Sequence, residues 1–140
     1  MALGNYTVAN LVVVVHGRQI RNWGHSTTPF NHAPIDPKRS LVRGMGGGAI
    51  VTGRSNPGRE VTLNILPGSP DAKFLNSLDQ MGTINITMTY SIIGTSEKAV
   101  AMEGVIVNDG TTSRGGVDTA VTDEQFILQF NKWEGGKGGE

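Results

Sequence analysis

The sequence predicts a mainly β domain, a β-barrel or sandwich carrying one short α-helix, and three observations predict it. First, Val61, Leu63 and Ile65 alternate with Thr62 and Asn64, and Ile84, Ile86, Met88 and Tyr90 alternate with Thr83, Asn85, Thr87 and Thr89. That period of two belongs to half-buried strands. Second, between these runs lies the only convincing helix pattern in the chain. Third, 20 glycines with 6% aromatic and 17% charged residues, among many Thr and Val, describe a turn-rich β protein. At 140 residues the chain fits one domain, read as 1–134, with a flexible glycine-rich tail over 135–140.

The helix is specified end to end. Leu66-Pro67-Gly68 stops the first strand, Ser69 is placed to cap, Pro70 suits the first helical position and Asp71 suits the positive end of the dipole. Ala72, Phe74, Leu75, Leu78 and Met81 form an apolar stripe, and Gly82 closes the helix. About three turns are marginal alone, so Phe74, Leu75 and Leu78 are expected to dock the helix on a sheet.

The remaining elements follow in order. Residues 6–15 form a strand candidate, and its end, Leu11-Val12-Val13-Val14-Val15, is apolar on both faces and therefore covered on both, by the core or by another subunit. His16-Gly17 turns the chain into a strand over 18–23. Residues 24–37, with Pro29, Pro34 and Pro37, lose all periodicity and read as a long loop that is functional or becomes ordered against a partner. Residues 40–43 form a short strand, Gly44-Met45-Gly46-Gly47-Gly48 a turn, and 49–53 resume extended structure. Ser55-Asn56-Pro57-Gly58 is a further turn. A strand over 98–107 is stopped by Asn108-Asp109-Gly110, 111–116 is a loop, and 123–133 is the closing strand, with Phe126, Leu128 and Phe130 on one face.

Composition and spacing exclude several functions. There is no cysteine, hence no disulfide framework and no thiolate chemistry, as in a reducing cytoplasm. No signal peptide is recognisable, and the run at 11–15 is too short to span a bilayer, so no membrane insertion is expected. His16, His25 and His32 lack the spacing of a metal site. The glycine run at 44–48 lacks the Lys-Ser/Thr and the helix of a phosphate-binding loop. Asp123 and Glu124 point to opposite faces of a strand, no serine sits in a nucleophile elbow, and no catalytic site, enzyme activity or cofactor is expected. The arginines come without interleaved aromatics, which argues against sequence-specific nucleic-acid binding. The sequons at Asn5 and Asn85 are read as coincidence.

Taken in order, these residues resemble the tail tube proteins of contractile-tailed bacteriophages, a family similar to the type VI secretion tube protein. The resemblance runs from the Val-rich strand turning at Gly17 into Gln19-Ile20, through the long loop and the glycine turn near Gly46. It continues with Arg54-Ser55-Asn56-Pro57-Gly58-Arg59, Val61-Thr62-Leu63-Asn64-Ile65-Leu66, and Ser69-Pro70 opening a helix with Phe74-Leu75. It implies a barrel or sandwich with one helix and a homo-hexameric ring. Such rings stack into a tube through which double-stranded DNA passes, with tail sheath, tape measure and baseplate as partners. It also implies a virion tail location after assembly in the host cytoplasm. A non-polymerising β-sandwich binding module, of baseplate or carbohydrate-binding type, is the alternative.

Charge is lopsided along the sequence, which either mixes into an even surface on folding or marks a head-to-tail contact between unlike faces where rings would meet. The first sixty residues hold seven Lys or Arg against two acids, and the rest hold five against ten. Stacked identical rings need unlike rims. Lys38, Arg39, Arg43, Arg54 and Arg59, read as loop residues, are therefore paired with Asp109, Asp118 and Asp123 as candidate contacts between rings or subunits.

Overall fold

A computed structural model describes residues 7–26, 28–53, 58–110 and 122–136. Its strands are β1 (Leu11–Val15), β2 (Arg18–Ile20), β3 (Phe30–Pro34), β4 (Arg39–Arg43), β5 (Ala49–Gly53), β6 (Arg59–Ile65), β7 (Ile84–Ile92), β8 (Lys98–Asp109) and β9 (Glu124–Gly136). The helix α1 (Pro70–Gln80) joins β6 to β7. Seven strands form one antiparallel sheet in the order β2-β1-β7-β8-β9-β6-β3, while among the described residues β4 and β5 pair only with each other.

The sheet curls without closing into a hydrogen-bonded barrel. After β2 the chain crosses to the opposite side, where Trp23 bridges Ile65, the Gly24 amide donates to Asn64 O (2.9 Å) and the Leu66 amide donates to Asn22 O (2.8 Å). The result is sandwich-like. Alternation places Val13, Val15, Val61, Leu63, Ile65, Ile86, Met88, Tyr90, Phe126, Leu128 and Phe130 inside, where Ala72, Leu75 and Leu78 of α1 join them in one core.

The helix ends as its sequence dictates. Ser69 Oγ accepts from the Ala72 amide (3.2 Å). At the other end the Gly82 amide donates to Asp79 O and the Thr83 amide to Leu78 O, with Gly82 at φ +63°, which is a Schellman closure. Two stripe residues depart from expectation. Phe74 is only half-buried, under the Arg18 guanidinium (5.6 Å from the ring centroid). Met81 lies past the last helical residue and is 72% exposed, because the closing turn rotates it away from the core. Leu78→Ala, which empties a buried site, is expected to cost about 2–5 kcal/mol, read as a lower urea midpoint with unchanged slope.

Other boundaries moved for local reasons. Residues 8–10 form a 3₁₀ turn rather than strand, because the Asn10 amide donates to Thr7 O; Tyr6 lies outside the described residues. The loop read over 24–37 contains β3, held by pairing with β6 from Phe30↔Leu63 to Pro34↔Arg59. β8 runs on to Asp109, and β9 continues to Gly136, with Gly135 opposite Ala99, two residues into the stretch read as tail. The loop read at 111–116 and the turn residues Ser55, Asn56 and Pro57 lie outside the described residues.

Candidate assembly surface

The feature that stands apart from the core is the β4–β5 hairpin. Its register runs Arg39↔Gly53, Ser40↔Thr52, Leu41↔Val51, Val42↔Ile50 and Arg43↔Ala49, and all ten strand residues are exposed. Cross-strand partners share a face, so one face carries the Leu41–Val51 rung between Arg39 and Arg43, and the other the Val42–Ile50 rung beside Ser40–Thr52. These four apolar residues are 61%, 65%, 49% and 64% exposed, in the order Leu41, Val51, Val42, Ile50. Gly44 to Gly48 make the turn: the Gly44 amide donates to Gly48 O (2.8 Å) and Gly47 takes φ +91°. A two-stranded hairpin is marginal in water, and bare apolar rungs on both faces are an association hazard unless another surface covers them.

The candidate contact residues separate into three groups. Lys38, Arg39, Arg43 and Asp109 are exposed, Arg39 and Arg43 on β4 rather than on loops. Arg54 and Asp118 lie outside the described residues. Arg59 is internal, correcting its reading as a loop contact: it opens β6, is buried, donates from Nε to His32 Nδ1 (2.8 Å) and lies over the Trp133 ring (5.6 Å). Burial pulls its pKa down, and the neighbouring Tyr90 opposes that pull. Asp123 is also engaged within the subunit, accepting from the His25 and Ser26 amides (both 2.9 Å) and packing against Gly24, where there is no room for a Cβ.

The Arg59 environment anchors the strand that leads to the hairpin. His32 Nδ1 accepts from Arg59, so the ring hydrogen sits on Nε2, facing the Tyr90 hydroxyl (3.2 Å), which in turn donates to Glu97 Oε2 (3.2 Å). Phe30 and Trp133 stack on the same group, with ring centroids 5.0 Å (Phe30–Tyr90) and 4.7 Å (His32–Trp133) apart. Beside it, a groove of about 490 Å³ is lined by Leu11, Phe30, His32, Tyr90, Ile92 and Glu97, among others.

A second anchor sits under β2. Asp71 is buried and accepts from Arg18 Nε (2.8 Å), the Arg21 amide (2.7 Å), the Asn22 amide (2.9 Å) and Asn22 Nδ2 (3.0 Å). Burial raises the pKa of this carboxyl, but the hydrogen bonds together outweigh it and hold the value below the usual carboxylate range. A depressed folded-state pKa gives stability that is complete above the unfolded value, about 3.9, and is lost as pH falls through the folded one. Asp71→Ala is therefore expected to cost about 1–3 kcal/mol at neutral pH. Urea titrations of wild type and variant should converge as the medium is acidified below about pH 4.

Among the described residues, no group of three or more His, Cys, Asp or Glu is positioned to hold a metal ion, and no helix is long and apolar enough to cross a membrane. His16 occupies the β1–β2 turn at φ +50° and His25 is exposed, both apart from the His32 cluster.

No protein-family model and no curated protein sequence matches the chain. Solved structures do. A chain of an extracellular contractile injection system, described as the PVC sheath/tube terminator in the extended state, aligns at TM-score 0.62 with 13% identity, covering 98% of this chain and 100% of that one. The anti-feeding prophage cap, described as the tube-terminating cap, aligns at 0.62 with 11% identity over 98% and 94%. The PVC sheath-tube complex in the extended state contributes a chain at 0.60 with 12% identity over 93% and 90%. The fold is thus one used in contractile injection systems.

Proposed function

We propose that the chain is the structural subunit of a contractile-tail tube, six copies closing a ring and rings stacking head to tail. The observation that carries this is the hairpin, whose two apolar rungs find no cover within the subunit's sheet. The similarity of fold to contractile injection system chains supports it. The role is structural rather than enzymatic. Tail sheath, tape measure and baseplate are the partners, the virion tail is the location, and assembly takes place in the host cytoplasm. Double-stranded DNA crosses the bore without sequence-specific contact. Thr87, Thr89 and Ser91 on β7, with Thr62, Gln125 and Gln129, give the outer face of the sheet small polar groups rather than a dense arginine lining, the chemistry that lets a polyanion slide.

A tube-terminating role is the second reading, favoured by the two neighbours described as a terminator and a cap. Sedimentation velocity of the purified chain over rising concentration tests the proposal. Large, polydisperse species support a repeating tube subunit, and a single ring-sized species supports a terminator. A monomer at every concentration contradicts both and leaves the groove beside His32 as the site of a binding module.

A further inference from the structure

We propose that the exposed surface formed by Met81, Ile84, Val105 and Val107, flanked by Asp79 and Asp109, receives the β4–β5 hairpin of a second copy. This rests on the self-assembly reading above and names the other half of its interface. The surface is contiguous in the fold. Met81 caps α1, Ile84 opens β7 directly opposite Val105 on β8, and Val107 follows two residues along the same strand. All four apolar side chains are exposed. Asp79 stands in the last turn of α1 and Asp109 ends β8, both exposed.

Charge selects this surface. The hairpin region, residues 38–53, carries Lys38, Arg39 and Arg43 and no acid. The stretches 74–97 and 99–110 carry Asp79, Glu97, Glu103 and Asp109 and no base. Glu103 is already paired with Lys132 (3.0 Å) and Glu97 with Tyr90, which leaves the two aspartates beside the apolar patch as the acids best placed to meet the hairpin arginines. The other exposed valine on β8, Val100, lies opposite Glu134 with Lys98 two residues away, so its flanking charges offset and give a basic hairpin no net attraction. Donor and receiver are different parts of one chain, so the contact is heterologous and repeats from copy to copy. Apolar rungs supply the affinity, and the flanking charges fix register and direction.

The chain has no cysteine, so disulfide trapping reads the contact cleanly. Full-length Val51→Cys protein is mixed with Ile84→Cys, with Val107→Cys or, as a control surface, with Val100→Cys; each mixture is assembled, oxidised and resolved on a non-reducing gel. All four positions are exposed, and thermal melts confirm that each variant folds. The expected result is a mixed dimer linking position 51 to 84 or to 107 in the sedimented fraction, with none linking 51 to 100, since a disulfide needs Cα atoms within about 7 Å. Sedimenting assemblies that give the 51–100 link, or neither link to the patch, overturn the inference and leave self-assembly standing. Failure of the wild type to sediment overturns the self-assembly reading, and this inference with it.

Discussion

A subunit carrying Leu41→Ser, Val42→Thr, Ile50→Thr and Val51→Ser is expected to fold normally and to remain monomeric where the wild type assembles. The four side chains touch solvent on a hairpin that, among the described residues, pairs with no other strand, so removing them takes nothing from the core. Surface substitutions of this kind change stability by about 0.5 kcal/mol or less each. Buried against a neighbour, the same side chains are worth about 1.5–3 kcal/mol apiece, and in the proposed ring, symmetry would repeat that contribution at every subunit. The effect on assembly is therefore far larger than the effect on the fold. Sedimentation and a urea melt on the same sample separate the two. Assembly that survives all four substitutions would remove the hairpin from the interface.

The largest effect on the fold itself is expected at Phe130, where three strands meet. It pairs with Arg59 on β6 and with Gly104 on β8 and is fully buried. Gly104 lies directly beneath its ring. A Cβ there would collide with Phe130 and stand 2.9 Å from Ile86 O, so the absence of a side chain is what allows the ring to lie flat on β8. The neighbouring kink is set by Asn85 and Glu103, both at positive φ (+59° and +57°), where the β7–β8 register shifts. Phe130→Ala is expected to cost about 3–5 kcal/mol. Gly104→Ala costs about 1–3 kcal/mol by overpacking. The double variant should cost less than the sum, because truncating the ring removes most of what the new methyl strikes. Urea midpoints for the four proteins close this cycle, and strict additivity would show that the two sites do not touch.

What the sequence revealed and what it hid follow from the range of the interactions involved. The run from Val61 to Tyr90 was legible because its signals are local: a period of two, a serine cap, a proline at the first helical position and a closing glycine. The structure answers each one, with the cap bond from Ala72 to Ser69 and β6 and β7 on either side. β3 was not legible. Phe30-Asn31-His32-Ala33-Pro34 carries a proline and no apolar alternation, and its place is fixed by Tyr90 and Trp133, which arrive from distant strands. For the same reason Arg59 resembled a surface cation in the sequence, although its partners His32 and Trp133 enclose it. Asp123 likewise resembled a rim acid until the loop at His25 and Ser26 closed over it. The lopsided charge included Arg39 and Arg43, which stand exposed on a hairpin with no acid. What it lacked was the strand pairing that separates those arginines from the buried one.

Negative-stain microscopy of the purified wild-type chain at high concentration shows whether tubes form. The expected image is of hollow rods of stacked rings, sixfold in end view, that disappear when the four hairpin residues are replaced. Dispersed single subunits at every concentration would contradict the tube reading.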